Sequence, residues 1–278
     1  MAKITCNIIS QVLKRAIDIT VIIPTPTIPD ALSPDGKRVS YIPPEKYPVI
    51  YLLHGFGNDH ATWSGYTNVE LYAEENQIAV VNLSAENKAY IENGMDDFYT
   101  FVSEELPEMV CGLFPVSDKP ESTYIAGLSM GGYGTLTHAL SHPERFAAVG
   151  ALSAAVIRKN PEGGIRMEDI KKEAEAELPK DGDPNVDMPD RQPSVLAERI
   201  VKEGGKFPKI YMACGGKDAL FEMNKKFCDK LIALGADVTW DEIDRYGHEW
   251  RFWDIEIEKF MEWIPRTDIY AAGGKRQV

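Results

Sequence analysis

Ser129 lies in the run Tyr124-Ile125-Ala126-Gly127-Leu128-Ser129-Met130-Gly131-Gly132-Tyr133-Gly134, where an apolar segment stops at a serine set between glycines and a helical pattern follows at once. Gly127, Ser129 and Gly131 satisfy Gly-x-Ser-x-Gly, the pattern in which a strained strand-to-helix turn lifts a serine hydroxyl off the end of a sheet. The helix that follows aims its N-terminus at that hydroxyl. A nucleophile so placed is suited to attack on a carbonyl. Five residues alone are weak evidence, and the competing reading is that the glycines merely ease a tight turn. The context favours chemistry, because Ser122 to Leu128 reads as a strand and Tyr133 to Leu140 as a helix.

Cleavage of an ester or amide by serine needs a base to take the hydroxyl proton, an acid to orient that base, and donors for the tetrahedral oxyanion. Five histidines compete for the first role. His54 sits in a strand-end turn and His60 on the loop beyond it. His138 and His142 fall on or just after the helix that follows Ser129, pointing away from its start. His248, flanked by Gly247 in a loop after the last strand, is the expected base, against the alternative of a surface loop histidine. The acid should lie between serine and histidine in chain order and follow a strand, which selects Asp218. Asp218 could instead cap the helix beginning near Leu220. Asp237, Asp241 and Asp244 are rivals, two of which belong to a strand and should face solvent. The oxyanion donors expected are the backbone N–H groups of Met130, at the start of the helix, and Phe56, in the glycine-rich turn His54-Gly55-Phe56-Gly57.

These residues need a sheet with its strand ends gathered at one rim. Thr5 to Ser10 and Ile17 to Ile23 read as an antiparallel pair, and Pro24 to Pro48 as a proline-rich loop with a hairpin around Asp35-Gly36. Val49 to Leu53 is an apolar run of the kind buried on both faces of a parallel sheet. Further strands are expected at Ile78–Leu83, Ala147–Leu152, Lys209–Cys214 and Val238–Ile243. Helices are expected at Asn68–Asn76, Asp96–Leu113, Met167–Leu178, Ser194–Glu203, Leu220–Leu234 and Arg251–Ile264. The alternation implies one doubly wound, mainly parallel sheet and a single domain over residues 1–278. From Ser153 to Gly205 charge is dense and proline frequent, a segment that is either a surface excursion or a cap over a pocket.

The chain carries 30 basic and 43 acidic residues, a net charge of −13, which argues against nucleic acid or an anionic membrane as the main partner. No apolar run is long enough to span a bilayer, and the first residues lack the pattern of a secretory signal. Cys6, Cys111, Cys214 and Cys228 form no CxxC pair or zinc pattern, so free thiols in a cytoplasmic protein are expected, with no metal and no cofactor.

His54-Gly55-Phe56-Gly57-Asn58 with Trp63, then GLSMGGYG, CGGKD and GHEWRFW, resemble the esterase D-like branch of the α/β-hydrolases, closest to the bacterial tributyrin esterase or acetylesterase group. The resemblance runs in register along nearly the whole chain. It implies an α/β-hydrolase fold, a Ser129–His248–Asp218 triad, and Phe56 and Met130 as oxyanion donors. It also implies a small-molecule ester as substrate, cleaved through an acyl-enzyme. The branch includes feruloyl esterases, S-formylglutathione hydrolases and acyltransferases, so acetyl, aryl and thiol esters all stay open. A non-catalytic hydrolase-like binding protein is the alternative of another class. Trp63 and Trp250 are candidate substrate-binding residues beside the loops. A homo-oligomer is compatible with the sequence, which is silent on stoichiometry.

Overall fold

Val49–Leu53 supplies five consecutive residues that are wholly or almost wholly buried, with Val49, Tyr51 and Leu53 packed on one face of a sheet and Ile50 and Leu52 on the other. That strand lies inside an eight-stranded sheet in the computed structural model, which describes residues 1–33, 36–92, 94–156, 177–184 and 188–278. The strands are β1 (Ala2–Ser10), β2 (Arg15–Ile23), β3 (Val49–Leu53), β4 (Ala79–Leu83), β5 (Thr123–Leu128), β6 (Ala148–Leu152), β7 (Lys209–Gly215) and β8 (Val238–Ile243). They are ordered β1-β2-β4-β3-β5-β6-β7-β8. β1 pairs antiparallel with β2 and β2 antiparallel with β4, while β4, β3, β5, β6, β7 and β8 run parallel. This is the α/β-hydrolase arrangement, a mainly parallel sheet opened by an antiparallel pair.

The chain leaves β3 toward β4 on one side and leaves β5 toward β6 on the other, so winding reverses between β3 and β5. A crevice opens at the carboxyl ends of two such strands, where open α/β sheets meet ligands. The turn His54–Gly57 and Ser129 lie at this reversal.

Helices cover both faces. α1 (Ile28–Ala31) and α2 (Thr62–Tyr66) are short, and α3 (Val69–Asn76) packs with the terminal helix α9 (Trp250–Trp263) on the Ile50, Leu52 and Tyr124 face. On the opposite face lies one interrupted helix, α4 (Phe98–Thr100) running through a π-turn at Phe101–Glu105 into α5 (Leu106–Leu113). Pro107 has no N–H to offer the carbonyl of Ser103 four residues back, which is why the ladder widens there. The Arg145 guanidinium donates to that Ser103 carbonyl instead. Glu105, on the same π-turn, accepts from Ser10 Oγ at 2.5 Å and from the amides of Gln11 at 2.6 Å and Val12 at 3.2 Å, closing the β1–β2 turn from a distance in sequence.

α6 (Met130–Ser141), α7 (Pro193–Lys202) and α8 (Phe221–Ala233) pack together over β6 and β7 through Leu136, Leu140, Leu196, Ile200, Phe227 and Leu231. The expected helix at Met167–Leu178 lies outside the described residues except for its last two, which are not helical, and the expected hairpin at Asp35-Gly36 also reaches beyond them. Of the segment from Ser153 to Gly205, α7 docks on α6. Cys6, Cys111, Cys214 and Cys228 are free thiols. Among the described residues no helix is long and apolar enough to cross a membrane.

The first turn of α6 sits directly on the end of β3. A Cβ at Gly131 would overlap the Leu53 carbonyl oxygen and lie 2.7 Å from the His54 carbonyl oxygen, and one at Gly127 would lie 2.5 Å from the Gly131 carbonyl oxygen. Backbone cannot step aside as a flexible side chain can. Gly131→Ala should therefore cost about 2 kcal/mol or more and lower the melting temperature sharply. Gly112→Ala, in α5 with nothing within 4 Å of the added Cβ, should leave it unchanged or raise it slightly. Differential scanning fluorimetry on the two variants checks the contrast.

Candidate active site

Ser129 adopts φ 54° and ψ −115°, a left-handed backbone that a non-glycine residue holds only when its surroundings impose it. Here they do. Its amide donates to the Leu152 carbonyl at 2.9 Å, and its carbonyl accepts from Tyr133 N–H at 3.1 Å and Ala155 N–H at 3.0 Å. The turn after β3 lies against it, since a Cβ at Gly55 would be 3.5 Å from Ser129 Cβ and 2.5 Å from Leu128 Cδ1. Among the described residues neither the Phe56 amide nor the Met130 amide is taken by an acceptor. The Phe56 side chain is half exposed at this edge, whereas Met130 is buried.

Asp218 and His248 meet directly. The Asp218 side chain is fully buried, its Oδ2 accepts from His248 Nδ1 at 2.8 Å, and its Oδ1 accepts from the Leu220 amide at 2.9 Å. The aspartate thus caps the turn before α8 and holds the imidazole at the same time. With Nδ1 donating, Nε2 carries the ring's lone pair. Burial alone would raise the Asp218 carboxyl, yet the hydrogen bond and charge of His248, the Leu220 amide and the Ser153 hydroxyl hold it below the usual carboxylate range. The His248 loop is seated against the end of β7, where a Cβ at Gly215 would overlap the Tyr246 carbonyl oxygen and approach the Gly247 carbonyl oxygen at 3.0 Å.

Ser129 Oγ makes no hydrogen bond to His248 among the described residues. Their supports are nevertheless adjacent in the chain: Ser129 is pinned to Leu152, and the next residue, Ser153, belongs to the Asp218 group. Ser153 has φ 44°, and its Oγ accepts from Trp253 Nε1 at 3.1 Å. The Trp253 ring stands edge-on to the His248 ring at 4.9 Å. Sequence patterns do not single out Ser153 or assign Trp253 to this cluster, because what links them to Asp218 is the tertiary packing of α9 across β6 and β7.

Two expectations need correction. Trp63 is fully buried and donates Nε1–H to the Leu53 carbonyl at 3.1 Å, so it braces the end of β3 and has no face for a substrate. Nearness in sequence to the Phe56 turn does not carry its ring to the surface. Asp241 does not simply face solvent, since it accepts from Tyr211 Oη at 3.1 Å and Lys259 Nζ at 2.7 Å in a cluster with buried Glu256. Trp250 is partly buried, stacked on exposed Tyr66 at 5.1 Å and edge-on to Trp253 at 5.2 Å.

The other histidines have structural partners. His54 Nδ1 bonds the Gly55 carbonyl and its Nε2 accepts from Ala85 N–H, His60 pairs with Thr20 Oγ1, and His142 with Tyr99 Oη. Among the described residues no group of three metal-ligating side chains converges. A cavity of about 510 Å³ opens at the other end of the sheet, lined by Lys46, Tyr51, Glu108, Cys111 and Arg145. Ser129, Asp218, His248, Phe56 and Met130 are not among its lining residues.

The mainly parallel sheet with its antiparallel opening pair, and the strained serine at its winding reversal, are those of an α/β-hydrolase-fold serine hydrolase. The Esterase family model, described as "Putative esterase", matches residues 37–254. The chain belongs to this esterase family and is a serine carboxylic ester hydrolase. An acetyl esterase of Caldicellulosiruptor saccharolyticus is 34% identical over 286 residues, covering 96% of this chain and 99% of that protein. Among solved structures, the fluorophosphonate-binding serine hydrolase FphF of Staphylococcus aureus, substrate bound, superposes with a TM-score of 0.75 at 27% identity, covering 94% of this chain and 97% of that one. The S-formylglutathione hydrolase FrmB of Staphylococcus aureus gives 0.73 at 26% identity, covering 94% and 98%.

His138 provides a test of the packing beneath the site. It is fully buried on α6, its Nε2 bonds the Tyr90 carbonyl at 2.9 Å, and its Nδ1 has no partner among the described residues. Burial pushes its pKa from 6.5 down to about 3, helped by the nearby charges of His142, Arg145 and Arg191 and opposed by the Tyr90 carbonyl. The unfolded chain takes up a proton below about pH 6.5 that the native chain refuses until about pH 3, so stability falls with pH across that window. Thermal melts from neutral to acid pH should show the decline. In His138→Gln the decline should be shallower, although the variant starts from a lower melting temperature.

Proposed function

We propose that Ser129 attacks the acyl carbon of a small ester while His248 Nε2 takes its proton and Asp218 holds the imidazole through Nδ1. The protonated histidine then gives its proton to the departing alcohol, leaving an acyl-enzyme on Ser129. Water, activated by the same imidazole, releases the acid and restores the serine. The oxyanion formed in each half-reaction is received by the Phe56 and Met130 amides, donors that are worth most when prealigned in a site shielded from water. The observation that carries this reading is the 2.8 Å bond between the buried Asp218 carboxylate and His248, at the sheet edge where Ser129 stands in strained backbone. Hydrogen bonds from base to nucleophile often tighten only when substrate is bound.

Short acyl groups, acetyl above all, are the preferred substrates in this reading, supported by the likeness to an acetyl esterase across nearly the full length of both chains. Trp250 with Tyr66 offers an aromatic shelf for an aryl or sugar alcohol. The continuous sheet from β1 to β8 supports one domain, the free thiols suit a cytoplasmic setting, and the chemistry calls for no metal or cofactor. A second reading, thioester hydrolysis, is favoured by the likeness to S-formylglutathione hydrolase.

With p-nitrophenyl acetate, Ser129→Ala and His248→Ala should each lower kcat by at least about 1,000-fold. Parent-level turnover in Ser129→Ala would refute the mechanism. Comparing acetyl, butyryl and feruloyl esters with S-formylglutathione ranks the substrate classes.

A further inference from the structure

The loop from β4 toward α4 is an unusual piece of backbone, with φ of 49° at Glu86, 51° at Ala89 and 63° at Tyr90, none of them glycine. Such conformations persist where the surroundings over-determine them, and they gather at functional sites. What this loop touches is the turn that carries Phe56. Ala85 N–H donates to His54 Nε2 at 2.9 Å, Asn87 Oδ1 accepts from Gly57 N–H at 2.7 Å, and Tyr90 Oη donates to the His54 carbonyl at 2.8 Å. The turn is held on both sides of Phe56.

Tyr90 also grips the other half of the site. Its ring is fully buried and lies on α6 at Gly134, where a Cβ would come within 2.6 Å of Tyr90 Cδ2, and its carbonyl accepts from His138 Nε2 at 2.9 Å. Met130, Gly134 and His138 are spaced four residues apart and so form one stripe along α6. One side chain therefore ties the helix that begins at Met130 to the turn that contains Phe56.

We propose that Tyr90 is a positioning residue, which with the rest of the Ala85–Tyr90 loop sets the separation of the Phe56 and Met130 amides and so tunes oxyanion binding. The inference rests on those two amides receiving the oxyanion, as the esterase mechanism above has it. Donors aimed at a developing charge lose their value steeply when displaced. The bound ester, whose carbonyl oxygen carries little charge, feels that displacement far less. Loosening the turn should lower kcat and leave KM in place.

Tyr90→Phe keeps the ring against Gly134 and removes only the hydroxyl. Its kcat for p-nitrophenyl acetate should fall about tenfold, less than the loss on deleting a donor outright, with KM changed by less than about twofold. Affinity for a trifluoromethyl ketone, which presents an oxyanion, should drop in parallel. Tyr124→Phe is the control: its hydroxyl donates to the Pro265 carbonyl at 2.7 Å, near the start of β5 and away from the rim. It should lose melting temperature and keep full kcat. Parent-level kcat in Tyr90→Phe, or an equal fall in Tyr124→Phe, overturns the inference. Should Tyr90→Phe not fold, Asn87→Ala carries the test from an exposed position, and an unchanged kcat there overturns it. Undiminished activity in Ser129→Ala would remove the mechanism itself and this inference with it, a result distinct from failure of the brace alone.

Discussion

The rim of this enzyme is measured from one contact, the seating of the first turn of α6 on the carbonyl end of β3. Gly131 touches the Leu53 and His54 carbonyls, Gly127 faces the Gly131 carbonyl, and Gly132 lies where a Cβ would come within 2.7 Å of Ala154 Cβ. No side chain fits between these backbones. Because they are so close, the left-handed Ser129 and the Gly55 turn come into contact. Moving α6 outward by the width of a methyl group would leave every residue intact and separate these groups.

Much of this architecture is legible in the sequence, for an identifiable reason. β3, β5, β6 and β7 are mainly apolar runs ended by glycine or polar turns, and they are observed within one or two residues of their expected limits, as is the half-buried, mixed β8. The antiparallel opening pair is likewise present, although β1 begins at Ala2 rather than Thr5, since an edge strand alternating between half-buried and exposed residues has a weak apolar signal at its start. α2 is missed because Thr62–Tyr66 is a single short turn containing glycine. The interruption at Phe101–Glu105 follows from Pro107, but choosing a π-turn over a kink depends on Arg145, more than forty residues later.

At the site, chain order and strand-following position suffice to bring Asp218 and His248 to notice, and the structure joins them. Ser153, Trp253 and the Tyr90 loop carry no comparable mark. Their backbone conformations and partners come from elements far apart in sequence, and neither serine nor tyrosine announces a positive φ. Trp63 shows the opposite error, in which a residue beside a functional turn is turned inward by its own hydrogen bond to Leu53. Around Asp218 the consequence is electrostatic. A carboxylate buried to this degree would tend to take up a proton, and donors from His248, Leu220 and Ser153 keep it charged. The edge of Trp253 then walls the histidine from one side.

Glu105 closes the β1–β2 turn with three hydrogen bonds, and β2 finds its other neighbour in β4. During synthesis the N-terminal hairpin leaves the ribosome long before either partner exists. Its final contacts have to wait until the chain has been made past residue 105, and until then two strands rich in isoleucine stay without their lasting cover. A nascent chain built this way has an early interval of vulnerability to misassociation, set by the order of translation, and it ends only when the π-turn emerges.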